Sequence, residues 1–155
     1  MDIWLAIYSA VSATTRSSNL LNRFQKKQKL PVITETVRTS SEGKKSLTVH
    51  FSEKPLTVLQ WVATNPIARD FRYVCEIRYG STPVNMVGGE KLSIPLLSPE
   101  KGWQATYIEA TFSDGYVATS QVYITPDDKY PGVAPPSSGG ACQTLSGRGI
   151  TTPQP

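Results

Sequence analysis

Nucleophilic catalysis needs a serine or cysteine beside a base, and the single histidine of this sequence, His50, is the ordinary candidate for that base. His50 lies in a run in which Leu47, Val49 and Phe51 alternate with polar residues. Side chains on a strand alternate between faces, so this histidine is expected on the polar face. The sequence also lacks a Gly-x-Ser-x-Gly motif, the turn that exposes the nucleophile of α/β-hydrolases. We therefore predict no catalytic residue.

Metal and cofactor ligands are equally scarce. Cys75 and Cys142 are far apart, and with one histidine they cannot supply a zinc site of ordinary spacing. A buried Cys75 and a free Cys142 thiol are favoured over a disulfide, which would need an oxidising compartment. The adjacent carboxylates Asp127 and Asp128 are expected to be solvated, and no glycine-rich loop precedes a helix. The sequence thus predicts neither a metal site nor a cofactor.

The densest group of recognition side chains lies in Trp61–Arg72, which reads WVATNPIARDFR. As a binding loop, its two arginines would offer forked donors to a carboxylate. The favoured alternative is structural, with the aspartate pairing with its own arginines and the asparagine making an Asx-turn. The candidate binding residues are Trp61, Asn65, Arg69, Asp70 and Arg72.

Charge and hydropathy limit the partners. The net charge is +4, from 16 basic and 12 acidic residues, and the one dense basic cluster joins Arg23 to Lys26, Lys27 and Lys29. That cluster lies at the C-terminal end of a predicted helix, where the helix dipole stabilises cations. A nucleic-acid site would need a basic face with interleaved aromatic residues, so no nucleic-acid partner is predicted. No apolar run reaches the roughly 18 residues of a membrane span.

The first 30 residues are expected to be helical, in two pieces. Ile3 to Ala13 fits a helix with one apolar face, formed by Ile3, Trp4, Ile7, Tyr8 and Val11. The alternative is a signal peptide cleaved after Val11-Ser12-Ala13, but the preceding residues hold Asp2 and no cation, so the helix is preferred. A second helix begins near Ser17 or Ser18, carries an apolar stripe and ends before Pro31. Its stripe comprises Leu20, Leu21 and Phe24.

The middle of the chain is expected to form an immunoglobulin-like antiparallel β-sandwich over residues 31–126. Short alternating runs separated by glycine and proline predict about eight strands. The predicted strands are Val32–Val37, Lys45–Phe51, Leu56–Thr64, Tyr73–Tyr79, Thr82–Val87, Lys91–Leu96, Trp103–Phe112 and Tyr116–Ile124. Ser113-Asp114-Gly115 predicts a hairpin with a type I′ turn. Residues 127–155 are rich in Pro, Gly and Ser and predict a disordered tail.

Three segments occur here in one order: Trp61–Arg72 (WVATNPIARDFR), Lys101–Phe112 (KGWQATYIEATF) and Val122–Pro131 (VYITPDDKYP). Together they resemble the C-terminal portion of the PhoPQ-activated pathogenicity-related family, which includes the autocrine proliferation repressor proteins. The resemblance spans about residues 1–131 and is strongest from Trp61 onward. It implies a secreted or extracellular location, and relatives in which an α/β-hydrolase domain precedes a β-sandwich. Leu20–Pro31 resembles the last hydrolase helix.

The catalytic residues that the resemblance implies would lie before this chain, so none is carried over. The chain therefore resembles a truncated family member that keeps the accessory part, with residues 1–30 as a remnant of the hydrolase domain. Our leading hypothesis is a non-catalytic binding module that contacts a protein partner or a hydrolase domain. The alternatives are a secreted signalling or adhesion module and one part of a split hydrolase.

Overall fold

The computed structural model describes residues 19–73, 77–86 and 89–129. Within these residues the chain is mainly β, as predicted, and its strands form two antiparallel sheets. The predictions for the Ile3–Ala13 segment, for Cys75 and Cys142 and for residues 130–155 lie outside the described residues. No helix in the described part is long and apolar enough to cross a membrane.

Eight strands are present among the described residues, and most lie where the alternation predicts them. Their bounds are β1 Ile33–Thr39, β2 Lys45–Phe51, β3 Thr57–Asn65, β4 Gly80–Pro83, β5 Lys91–Leu96, β6 Trp103–Thr111, β7 Val117–Thr119 and β8 Tyr123–Thr125. Sheet A has the order β1-β2-β5, and sheet B has the order β4-β3-β6 with β7 and β8 both paired to β6. The chain passes from sheet A to sheet B after β2, returns to sheet A for β5 and enters sheet B again at β6, as in an immunoglobulin-like sandwich.

The sandwich interior follows the predicted alternation. Leu47, Val49 and Phe51 of β2 are buried, whereas His50 is exposed. Apolar residues of both sheets complete the core, namely Leu92, Ile94, Leu96, Val58, Ile108, Ala110 and Phe112. Burial of these side chains removes apolar surface from water, which is the main force holding the two sheets together.

Two strand predictions are wrong. The predicted Tyr73–Tyr79 strand is absent at residues 77–79, which are not in a strand. The strand predicted to begin at Thr82 begins at Gly80 and ends at Pro83. The predicted Tyr116–Ile124 strand is split, because the pairing register with β6 shifts by one residue between β7 and β8. Ser120 occupies this bulge, where its hydroxyl accepts the Ile108 N–H at 2.9 Å and donates to the Gln121 carbonyl at 2.8 Å.

The hairpin is present, but its turn is not type I′. Three residues separate the Phe112–Tyr116 pair, in which the Phe112 N–H donates to the Tyr116 carbonyl at 2.8 Å. Gly115 has a φ of +80°, whereas Asp114 does not have a positive φ. A type I′ turn requires positive φ at both central residues, so this is instead a three-residue loop with glycine in the left-handed position.

The second helix ends before Pro31, as predicted. Residues 19–25 are helical, and Lys27 then has a φ of 54°. The Gln28 N–H donates to the Arg23 carbonyl and the Lys27 N–H to the Phe24 carbonyl, at 2.9 and 3.0 Å. These two bonds form a Schellman motif, in which the last carbonyls of the helix find donors before the chain turns away.

Candidate functional site

The loop after β3 contains the binding residues that the sequence proposes. Asn65 is fully buried, and its side-chain oxygen accepts the N–H groups of Ile67 and Ala68, each at 3.1 Å. Its amide nitrogen donates to the Asp70 carbonyl at 2.9 Å. The Asx-turn expected of this residue is therefore present, and Asn65 supports the loop from within.

Asp70 and Arg72 are also joined within the loop. The guanidinium of Arg72 donates to both carboxylate oxygens of Asp70, at 2.9 and 2.7 Å. The carboxylate raises the pKa of the Arg72 guanidinium by accepting these hydrogen bonds. Asp70 is buried, whereas Arg72 and Arg69 are exposed. The geometry matches the structural interpretation of the loop, and a binding role for these residues stays a prediction.

Trp61 lies on the outer face of sheet B, opposite Tyr107 of β6. The two rings are stacked at a centroid distance of 5.9 Å, and Tyr79 meets the Tyr107 ring edge-on at 5.4 Å. The indole N–H of Trp61 is buried and donates to no group in the described ranges. Tyr79 belongs to the β3–β4 connection, so its contact with Tyr107 packs that connection against the outer face of sheet B. A binding role for Trp61 stays a prediction.

No metal site arises within residues 19–73, 77–86 and 89–129, since no group of three potential ligands comes together there. A cleft of about 510 Å³ opens between the sheets at the end of the sandwich where β2 begins. Lys45 and Asp127 form an ion pair in that cleft, and the ammonium lowers the pKa of the Asp127 carboxyl. The pair connects β2 of sheet A to the segment that follows β8 of sheet B.

The sequence did not predict the most unusual surface, which lies beside the opposite end of the sandwich. Five large apolar side chains are exposed along one stretch of the chain, and Phe24 is 80% exposed. Large exposed apolar patches typically mark interaction sites. We call this surface the apolar strip; its members are Leu20, Leu21, Phe24, Leu30 and Val32, with exposed fractions of 44%, 58%, 80%, 43% and 55%.

The helix carries the strip outward because its polar side faces the sandwich. Arg23 is 6% exposed and lies one helical turn after Asn19. Its guanidinium donates to both oxygens of Asp114 in the β6–β7 turn and, at 2.7 and 3.3 Å, to Glu53 after β2. It also donates to the Lys29 carbonyl at 3.1 Å and lies 5.4 Å from the centre of the Tyr116 ring.

This arginine inverts the usual amphipathic arrangement of a surface helix. An apolar stripe ordinarily faces the core, but here the buried anchor is a cation held by two carboxylates. Both carboxylates raise the pKa of Arg23, and Arg23 in turn holds the pKa of the Asp114 carboxyl below its usual range. The helix is therefore fixed to two loops of the sandwich while its apolar stripe faces away.

The comparison with known families bears on the same stretch of the chain. Residues 7–72 match the family model of the PhoPQ-activated pathogenicity-related protein. The resemblance to this family is thus confirmed over those residues. The match contains the apolar strip, Arg23 and Trp61–Arg72, whereas Lys101–Phe112 and Val122–Pro131 lie beyond it. No curated protein and no solved structure matches the chain.

Proposed function

We propose that this chain is a non-catalytic accessory module, which docks onto a protein partner through the apolar strip. The exposure of Phe24 is the observation that carries this proposal. An exposed aromatic side chain with two leucines one helical turn before it gives a partner a large apolar area at low entropic cost, and aromatic residues dominate interface energies. The Arg23 anchor supports docking because it holds the strip in place before the partner arrives.

The partner proposed is the hydrolase domain that the family resemblance implies ahead of the sandwich. The strip lies inside the residues that match the family, so the surface belongs to the part of the chain that relatives share. In a relative, such a surface would join the sandwich to the preceding domain. The same contact would allow this chain to bind a hydrolase domain supplied by a separate polypeptide.

Replacing Phe24 with serine is expected to weaken binding to a separately expressed hydrolase domain of a family member by about thirtyfold, because it removes a central aromatic anchor. Calorimetric titration measures the dissociation constant. The matched control is Leu97→Ser, since Leu97 is 61% exposed but follows β5 at the opposite end of the sandwich. Equal binding by wild type and both variants would contradict the proposal.

Folding stability provides a second control for Phe24→Ser. A side chain that is 80% exposed contributes little to folding, so the free energy of unfolding should change by less than about 0.5 kcal/mol. A larger loss in chemical denaturation would mean that the chain itself covers Phe24. In that case the strip would not be free for a partner.

The non-catalytic part of the proposal has a direct assay. His50 is exposed on β2, and its outward neighbours across the sheet are Thr34 on β1 and Lys91 on β5. Together, these three side chains do not make the set of nucleophile, base and acid that acyl transfer requires. The purified chain should therefore turn over no ester or peptide substrate. Turnover that a point substitution in this chain abolishes would contradict this expectation.

A further inference from the structure

We infer that the docking partner is acidic, and that its carboxylates meet a cluster of three lysines that interrupts the apolar strip. This inference rests on the proposed function and specifies the chemistry of the partner. The lysine cluster consists of Lys26, Lys27 and Lys29, all of them exposed.

The local charge is strongly one-sided. Residues 19–34 contain no aspartate or glutamate, and their four cations are Arg23 and the lysine cluster. Arg23 is paired with two carboxylates, Asp114 and Glu53, so this group carries one net negative charge. Within the described part of the chain, the three lysines form no ion pair. Among the described residues, the three lysine charges therefore have no ion-pair partner, and one unit of negative charge remains beside them at Arg23.

The end of the helix determines where these charges lie. Phe24 is in the last helical turn, and the left-handed Lys27 then redirects the chain toward Leu30. The bond from Arg23 to the Lys29 carbonyl holds the returning chain against the helix. Along the chain, the lysine cluster therefore separates the helical leucines and Phe24 from Leu30 and Val32.

A partner that covers the strip must also receive these ammonium groups. Burying a cation without a partner is costly, whereas pairing it with a carboxylate offsets the loss of hydration. Ammonium groups at the rim attract an acidic surface from a distance and speed association. The partner surface should therefore present apolar contacts on both sides of a row of carboxylates.

An anionic bilayer is the other surface that attracts leucine, phenylalanine and lysine together. A bilayer is a continuous negative plane, and Glu53 and Asp114 remain about two-fifths and one-third exposed beside Arg23. Such a plane would repel these two carboxylates, whereas a protein groove of limited size can avoid them. The charge pattern thus favours an acidic protein surface over a lipid headgroup layer.

The test compares salt dependence between variants of the full chain, with the same hydrolase domain as the probe. The triple variant K26Q/K27Q/K29Q is expected to bind about tenfold more weakly than wild type at low salt, mainly through a slower association rate. Raising sodium chloride from about 50 to about 500 mM should weaken binding by wild type by a similar factor, and it should change the affinity of the triple variant little. K26E/K27E/K29E should bind more weakly still.

The matched control is R38Q/K44Q/K101Q, which makes the same change in net charge. All three residues are exposed, and they lie near the end of the sandwich opposite to the strip. This control should keep the affinity and salt dependence of wild type. A lysine variant that behaves like the control, while Phe24→Ser still weakens binding by about thirtyfold, overturns the acidic partner but leaves the docking proposal standing.

Two further results are decisive. If wild type fails to bind the hydrolase domain at any salt concentration, both proposals are overturned. If wild type co-sediments with vesicles of phosphatidylcholine and phosphatidylserine but not with phosphatidylcholine alone, and K26Q/K27Q/K29Q does not, the lysines recognise lipid and the acidic protein partner is overturned. Absence of vesicle binding together with salt-dependent binding to the hydrolase domain supports the inference.

Discussion

Replacing Gly102 with alanine is expected to lower the free energy of unfolding by about 3–5 kcal/mol, because the new methyl group would collide with backbone atoms. Gly102 immediately precedes β6 and has a φ of +76°. A β-carbon at this position would overlap the carbonyl oxygen of Asn65 and lie 2.6 Å from the carbonyl carbon of Pro66. Backbone cannot rotate aside as a flexible side chain can.

The collision would act on the loop that Asn65 organises. The buried Asn65 side chain holds three hydrogen bonds that define the turn at Pro66. Displacing this turn would strain or break them, and a buried polar group that loses its partner costs about 1–3 kcal/mol. The effect of Gly102→Ala should therefore exceed the strain of a left-handed alanine alone.

Gly43→Ala separates the two contributions. Gly43 has a φ of +75°, nearly the same as Gly102, but a β-carbon there meets nothing within 4 Å. This control carries the backbone strain without the collision and should cost about 1 kcal/mol. Both free energies come from urea unfolding monitored by tryptophan fluorescence. Equal losses in the two variants would show that the loop does not press against Gly102 in solution.

The strands illustrate what the sequence could predict. The alternation of Leu47, Val49 and Phe51 defines a two-residue period, which determines both the strand and its buried face. The Ser120 bulge could not be predicted from the alternation of apolar and polar residues. It depends on the Ser120 hydroxyl, which lies between β7 and β8 and accepts the Ile108 N–H of β6, a residue 12 positions earlier in the sequence.

The apolar strip shows a different limit of prediction. The spacing of Leu20, Leu21 and Phe24 correctly indicates one apolar face, but a helix pattern does not tell which way that face points. The orientation is determined by Arg23, which appears in the sequence as one cation among four. Its partners Asp114 and Glu53 are distant along the chain, so only the folded structure reveals the anchor. A polar pair at Asn19 and Arg23, one turn apart, is the available sequence signal.

Replacing Arg23 with methionine is expected to lower the free energy of unfolding at neutral pH by about 2 kcal/mol. The change removes a buried guanidinium but keeps an apolar stem that can pack against Tyr116. Loss of a buried partner can cost about 3–5 kcal/mol, but Asp114 and Glu53 are partly exposed, and water can solvate them afterwards. Arg38→Met, at an exposed position of β1, should change stability by less than about 0.5 kcal/mol.

The pH dependence tests whether the ion pair is the cause. Hydrogen bonds from Arg23 lower the pKa of Asp114 in the folded chain below its ordinary value of 3.8. A carboxyl whose pKa is lower when folded adds stability above its unfolded pKa, and that stability is lost as the pH falls through the folded pKa. The difference between wild type and Arg23→Met should therefore be constant from neutral pH to about pH 5 and should shrink below about pH 4. A difference that stays the same down to pH values of about 2 would mean that packing, and not the ion pair, supplies the loss.

The same substitution links folding to docking. Without Arg23, the helix would lose its bonds to the β6–β7 turn and to the loop after β2, so the apolar strip would no longer be held in one position. A partner would then have to order the strip on binding, and the entropy lost in this ordering would lower the affinity. Arg23→Met should therefore weaken docking although Arg23 is buried beneath the strip. Unchanged affinity in this variant would show that the strip docks without its anchor.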